Sequence, residues 1–286
     1  MRILFTIFLF ISFDAQSDVF IIPPSDNAQE RIQEALILAQ PGDEIHLISG
    51  VYKIEDGLSL DVDNILFSGD GHDKTILDFT EQMTGAQGLL VTSNEVMLKD
   101  FAIINTKGDG IKTIGSEGIY FINLRTEWTG GPDSSNGAYG LYPVQSKNVL
   151  IDGCIAIGAS DAGIYVGQSE NIIVRNSRAE FNVAGIEIEN SYYADVYNNI
   201  AQHNTGGILV FDLPDLVQKK GGHVRVHHNL VKDNNLANFA PKGNIVGNVP
   251  KGTGMMVLAT SNVEFFENQI SPWHVNLICN NNLRTI

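Results

Sequence analysis

A chain of 286 residues with 43% hydrophobic side chains is long enough to bury a substantial core. Its formal net charge of −15 repels polyanions, which excludes nucleic acid as a partner and makes any acidic polysaccharide dependent on a local basic patch. With only Cys154 and Cys279, no disulfide framework holds the fold.

In chain order, Arg2 precedes an apolar run over residues 3–13, and Ala15-Gln16-Ser17 supplies the small residues a signal peptidase needs. Residues 1–17 therefore read as a secretory signal peptide. The run is too short to span a bilayer, so the expectation is a periplasmic or secreted protein with no transmembrane anchor after cleavage. Residues 27–40 place Ala28, Ile32, Ala35, Leu36 and Ala39 on one helical face, with Asn27 and Glu30 at capping-box spacing and Pro41-Gly42 as a stop. Residues 44–48, 58–60 and 65–67 then read as short strands, with a turn at Gly50-Val51-Tyr52. Residues 18–87 are thus a cap helix followed by first coils.

Seven repeats follow, each beginning with Gly and an aliphatic residue. They start at Gly88, Gly110, Gly140, Gly163, Gly185, Gly207 and Gly254, at intervals of 22, 30, 23, 22, 22 and 47. A period near 22 with strand-like alternation predicts an all-β solenoid of stacked coils over residues 88–270, with the N-terminal helix as the lid its first rung requires. Residues 271–286 leave the pattern and read as an atypical tail or a truncated end.

Period two sorts each first strand. Ile111, Leu141, Ile164, Ile186, Ile208 and Met255 point inward, as do the residues two further on. Between and beyond them lie two outward columns, one with Lys112, Tyr142, Tyr165, Glu187, Leu209 and Met256, the other with Ile114, Val144, Gly167, Glu189, Phe211 and Leu258. Asn123, Asn176, Asn198, Asn229 and Asn268, with Asp100 and Gly153, read as one structural ladder. Cys154 beside it reads as a small core residue. Insertions interrupt the period at residues 128–137 and 234–251, where loops can wall a groove.

The outward columns hold the candidate site. Glu187 and Glu189 lie two apart on one strand, about 7 Å between Cβ atoms, a range that suits a carboxylate pair or a cation. Glu187, Glu189 and Asp212 are the candidate acid, base or cation ligands. Tyr142, Tyr165 and Phe211 offer flat apolar faces for sugar rings, and Asp161 and Gln168 stand on neighbouring turns. Calcium stays open as a cofactor without a motif of its own. His223, His227 and His228, with His203 one coil away, place at most two imidazoles on one face and read as corner residues, so no metal ligand is assigned.

Gln40-Pro41-Gly42-Asp43-Glu44-Ile45, Gly50-Val51-Tyr52, Thr75-Ile76-Leu77 and the Gly-Ile repeats resemble right-handed parallel β-helix proteins of the pectate-lyase-like superfamily, over residues 19 to about 270. The repeats are similar to those of carbohydrate-binding and sugar-hydrolysing proteins, alginate epimerases and NosD-like periplasmic proteins. The stretches Asp161 to Ser169, Asn182 to Asn190 and Asn204 to Pro214 are most similar to exported bacterial β-helix proteins without an assigned activity, often encoded beside a second exported protein. The resemblance implies a single-stranded right-handed parallel β-helix that binds, and on one branch processes as lyase, hydrolase or epimerase, a polysaccharide along one sheet. Its other branch is a monomeric, non-catalytic accessory of an exported protein partner, NosD-like and metal-related. The Asp-Pro-His-Asp motif of the epimerases is absent, as are the paired aspartates, Gly-His-Gly and Arg-Ile-Lys of polygalacturonases. For the base of a uronate lyase, the face offers Lys112 and little else.

Overall fold

A computed structural model describes residues 17–271 and the backbone of Val275–Cys279. Nearly all of the signal-peptide reading lies outside the described residues. The chain winds into three parallel sheets of ten, nine and nine strands, and each regular coil contributes one strand to each. The coil Ala184–Glu189, Tyr192–Tyr197 and Ile200–Gln202 is representative. Ile164, Ile186 and Ile208 pair in register across successive coils, which gives the 22-residue period its structural meaning. Inward aliphatic residues from all three sheets merge into one continuous core running the length of the solenoid. The protein is a single-stranded parallel β-helix, nearly all β.

The lid helix spans Ala28–Leu38 and buries Ala28, Ile32, Ala35 and Leu36. It also closes the open edge of the strand Leu58–Leu60. The Gln33 side chain donates to Ser59 O at 3.0 Å and accepts from Ser59 N at 2.9 Å, standing in for the missing neighbouring strand. The expected capping box does not form. Asn27 has φ −107° and ψ 24° rather than extended backbone, so its side chain makes no cap bond and instead accepts from Ser25 Oγ at 2.9 Å. Gly50-Val51-Tyr52 is a strand and not a turn: Gly50–Lys53 opens one nine-stranded sheet. Tyr52 points into the core there because two carbonyls, of the buried Ile22 and the half-buried Ile48, lie 2.8 and 2.7 Å from its hydroxyl.

The asparagines expected in one ladder belong to two columns. Asp100, Asn123, Gly153, Asn176, Asn198, His228 and Glu267 occupy a corner at φ between 51° and 69°, the left-handed region that Asn, Asp and Gly tolerate best. One residue further on runs a second column of Cys154, Ser177, Asn199, Asn229 and Asn268. There each buried side-chain oxygen accepts the backbone N–H of the preceding coil, as from Cys154 N to Ser177 Oγ at 3.1 Å and from Asn199 N to Asn229 Oδ1 at 3.0 Å. Asn182, Asn204 and Asn234 repeat the device at another corner. Cys154 is fully buried, and desolvation pushes its thiol up to about 12, so it is packing rather than a nucleophile.

The long repeat interval carries two insertions where one was expected. Residues 212–221 separate Gly206–Phe211 from Gly222–His227, and residues 233–252 separate Leu230–Lys232 from Thr253–Leu258. Val275–Cys279, within the segment read as an atypical tail, pairs in parallel with Thr253–Leu258 across one register shift.

Candidate functional site

Four adjacent strands, Tyr139–Val144, Ala162–Gly167, Ala184–Glu189 and Gly206–Phe211, form the floor of the site. Their register sets Tyr165 beside Glu187 and Glu187 beside Leu209, with Gly167, Glu189 and Phe211 as the parallel row. Both rows face away from the coil interior, as alternation requires. They are nevertheless not open to water: Glu187 is 2% exposed, Tyr165 4% and Glu189 7%.

The two insertions account for this. Residues 212–221 are tied back by Asn190, whose Oδ1 accepts from Leu213 N at 2.7 Å and whose Nδ2 donates to Gln218 O at 2.8 Å. Residues 233–252 are held by Asn238, which donates to the Val246 and Val249 carbonyls at 3.0 and 2.9 Å. Leu213, Val246 and Val249 then pack toward Tyr165, Leu209 and Phe211 as a second apolar cluster. What remains between loops and sheet is a cavity of about 760 Å³ in place of a long open groove.

Tyr142, Asp161, Tyr165, Gln168, Glu187, Glu189 and Phe211 all line this cavity. Gln168 also anchors a wall, accepting from Gln218 N at 3.2 Å. Asp212 is the exception among the sequence-chosen residues. It is buried at the base of the loop it begins and does not line the cavity, and its Oδ1 has no hydrogen-bond partner. The other insertion, around residues 128–137, does not reach the site either, since Trp128 Nε1 donates to Thr106 O at 2.7 Å and pins it to the neighbouring coil.

Three tyrosines make one wall. The Tyr139 ring lies 4.4 Å from Tyr142 and 4.5 Å from Tyr165, and the latter two meet edge to face at 5.0 Å. Tyr139 and its neighbour Asp109 each immediately precede a repeat glycine, outside the columns that run forward from it. Tyr139 N donates to Asp109 Oδ1 at 3.3 Å, and its hydroxyl lies 3.5 Å from Asp161 Oδ2.

The carboxyl groups here all resist ionisation. Desolvation, reinforced by Glu189, pushes Asp161 up to about 7, and burial pushes Asp109 up to about 6 against the pull of Lys112. Glu187 is raised well above the usual carboxylate range, by burial first and then by Asp161 and Glu189, and its Oε1 has no hydrogen-bond partner. Glu189 is raised by burial too; a hydrogen bond from Tyr165 favours its charged form, while the nearby Asp212 opposes it. Lys112, 4.6 Å above the Tyr142 ring, stands outside the lining.

Gly167 makes room for that Tyr165–Glu189 contact. A Cβ on Gly167 would collide with the hydroxyl end of Tyr165, 2.1 Å from its oxygen and 2.5 Å from Cζ. Gly167→Ala therefore swings the ring away from Glu189, and we expect ligand affinity to drop about tenfold while the melting temperature falls only a few degrees. Calorimetric titration beside thermal melting checks this.

The histidines stay apart from the cavity. His227 is sandwiched between Tyr197 at 5.1 Å and Phe266 at 4.6 Å, with Nε2 2.8 Å from Asp195 Oδ1. It meets His228, with 2.8 Å between their Nδ1 atoms, although alternation had set them on opposite faces, because His228 turns the corner at φ 55°. His223 stacks on Tyr193 and His203 on Phe181. Among the described residues, no group of three or more His, Cys, Asp or Glu side chains is placed to hold a metal ion.

The family model for the right handed beta helix region matches residues 87–282. The chain belongs to this right-handed β-helix family. Solved structures agree on the fold. An alginate lyase from Paenibacillus sp. str. FPU-7 superposes with TM-score 0.54 at 16% identity over 94% of this chain and 99% of that one. The pectate lyase Pel9A gives 0.56 at 16% identity over 94% and 78%. An N-terminal fragment of bacteriophage Phi29 gene product 12 gives 0.59 at 14% identity over 85% and 45%. No curated protein matches the sequence. Among the described residues, no helix is long and apolar enough to cross a membrane.

Proposed function

We propose that this right-handed β-helix protein binds a saccharide in the loop-covered cavity and that Glu187 and Glu189 act on its glycosidic bond. The observation that carries the reading is Glu187: a buried carboxyl with an unpartnered oxygen, lining a cavity walled by three tyrosines packed against one another. A buried acid without a partner costs stability and is kept where a ligand supplies the partner. Aromatic faces and a few convergent polar groups are what a sugar ring requires.

The two glutamates divide the work by environment. Glu187, held protonated by burial and by its acidic neighbours, donates to the leaving glycosidic oxygen. Glu189, whose charge is favoured by Tyr165, is the base or nucleophile. Asp212 takes no part, since it does not face the cavity. Because loops close over the floor, the cavity takes a short saccharide or a chain end, and its carboxyl groups disfavour uronates. The alginate lyase and the pectate lyase whose fold the chain shares make polysaccharide chemistry on this scaffold reasonable support. With the reading of residues 1–17 as a signal peptide, we place this activity outside the cytoplasm.

A glycan array followed by reducing-end assays on bound glycans tests the proposal. Binding to a neutral or basic glycan is expected, with cleavage reduced at least a hundredfold by Glu187→Gln. Failure to bind any glycan, or undiminished cleavage by that variant, contradicts it.

A further inference from the structure

We infer that the saccharide carries a free amine, and that its ammonium group sits among Asp161, Glu187 and Glu189 against the rings of Tyr139 and Tyr165. This rests on the saccharide reading and specifies its substrate class. Three carboxyl groups line the cavity, and among the described residues no Lys, Arg or His lines it. Such crowding is self-repulsive: Asp161 is opposed by Glu189, and Glu187 by both. A neutral sugar leaves the repulsion in place, whereas a cation removes it.

The unpartnered Glu187 Oε1 is the second, independent sign that something is missing at this spot. The side chain is 2% exposed and lines the cavity, so a ligand bound there is placed to complete it. An ammonium has three donors and no acceptor, which matches a set of carboxyl oxygens one for one. The aromatic wall separates this ligand from a metal. Tyrosine faces attract an ammonium through their quadrupole, while calcium requires six to eight oxygen ligands, which two ring faces do not provide. A quaternary amine would fit the rings but could not donate to Glu187, so a primary amine is favoured.

Protons must leave when the amine binds. At pH 7 Asp161, pushed up to about 7, is partly protonated in the free cavity and the ammonium favours its charged form, while Glu187 accepts the ammonium through Oε1 and keeps its proton on the other oxygen. Tyr139 and Tyr165 are pushed further up by burial and stay neutral throughout. Asp109, behind Tyr139, and Lys112, over Tyr142, modulate the field without lining the cavity. Affinity for the amine therefore falls on acidification from pH 7 to pH 5, although the ligand keeps its charge.

The test is calorimetric titration of the full chain with β-1,4-linked glucosamine and α-1,4-linked galactosamine trisaccharides, each beside its N-acetylated form, and with calcium chloride alone. We expect an amine form to bind at least tenfold more tightly than its N-acetylated partner at pH 7, with proton release and with the preference lost at pH 5. Glu187→Gln and Asp161→Asn, which keep side-chain shape, should each remove most of that preference while melting cooperatively. Equal affinity for amine and N-acetyl forms overturns the amine inference and leaves the saccharide reading intact. No binding of any saccharide overturns both. Micromolar calcium binding that is lost in Glu187→Gln overturns the amine in favour of a metal.

Discussion

Glu187→Gln raises the melting temperature at pH 8 by about 5 °C and leaves it nearly unchanged at pH 4. At pH 4 the glutamate carries its proton in the folded and unfolded chains alike, and glutamine is close to it in shape and polarity. Above pH 5 the unfolded chain gives up that proton while the folded chain retains it, because burial and the neighbouring Asp161 and Glu189 oppose the charge. The folded state then binds more protons than the unfolded one, so stability falls as pH rises. Asp109, up to about 6, and Asp161, up to about 7, add the same sign across pH 4 to 7. The wild-type protein should accordingly melt higher at pH 5 than at pH 8, on the order of 1 to 4 kcal/mol more stable. Differential scanning calorimetry across this range decides it. A variant that melts lower than wild type at pH 8 would mean that Glu187 has a partner the structure does not show.

Asn204→Ala has the opposite consequence, a loss of at least about 3 kcal/mol and a fall in melting temperature of roughly 10 °C. Asn204 Oδ1 accepts from Asn182 N at 2.9 Å and from Asn182 Nδ2 at 3.0 Å, while its own Nδ2 donates to Ala179 O at 2.9 Å and Asn234 Oδ1 at 3.0 Å. Alanine keeps the backbone and removes all four bonds. Asn182 N and Ala179 O lie in the interior with no water to replace them, and each unsatisfied group costs about 1 to 3 kcal/mol. Since coils depend on their neighbours, the break should also broaden the transition by uncoupling the two halves of the stack. Chemical denaturation followed by circular dichroism measures both effects. A loss under about 1 kcal/mol would show that the ladder is ornament and that inward aliphatic packing alone sets the register.

The two predictions describe one division of labour. Inside the coils the asparagine ladders satisfy buried backbone groups and hold the stack; on the covered face Glu187 is left wanting, and the protein is destabilised there for the sake of a ligand.

The sequence showed the first of these arrangements more readily than the second. Gly163, Gly185 and Gly207 repeat because the glycine side of the strand presses against the inner ladder, where a Cβ would meet Asn182, Asn204 or Asn234. That constraint recurs in every regular coil and so is visible as a period. Alternation from those glycines sorted Glu187, Glu189, Tyr142 and Tyr165 onto one outer face, where they stand. The cover over that face left no such trace. Residues 212–221 and 233–252 carry no period, and their fold depends on Asn190 and Gln168 bonding across coils and on Asn238 bonding within its own loop. An outward column therefore read as solvent-facing when it is enclosed. Asn198 and Asn199, adjacent in sequence, serve different columns, and spacing alone could not tell the left-handed corner from the buried ladder beside it.

The most direct test of the account is a crystal structure of the protein soaked with the glycan that ranks first on the array. The account predicts a sugar ring stacked on the Tyr139–Tyr142–Tyr165 wall with a polar group within hydrogen-bond distance of Glu187 Oε1. A glycan bound along an exposed face of the solenoid, with the cavity unchanged and Glu187 still without a partner, would contradict it.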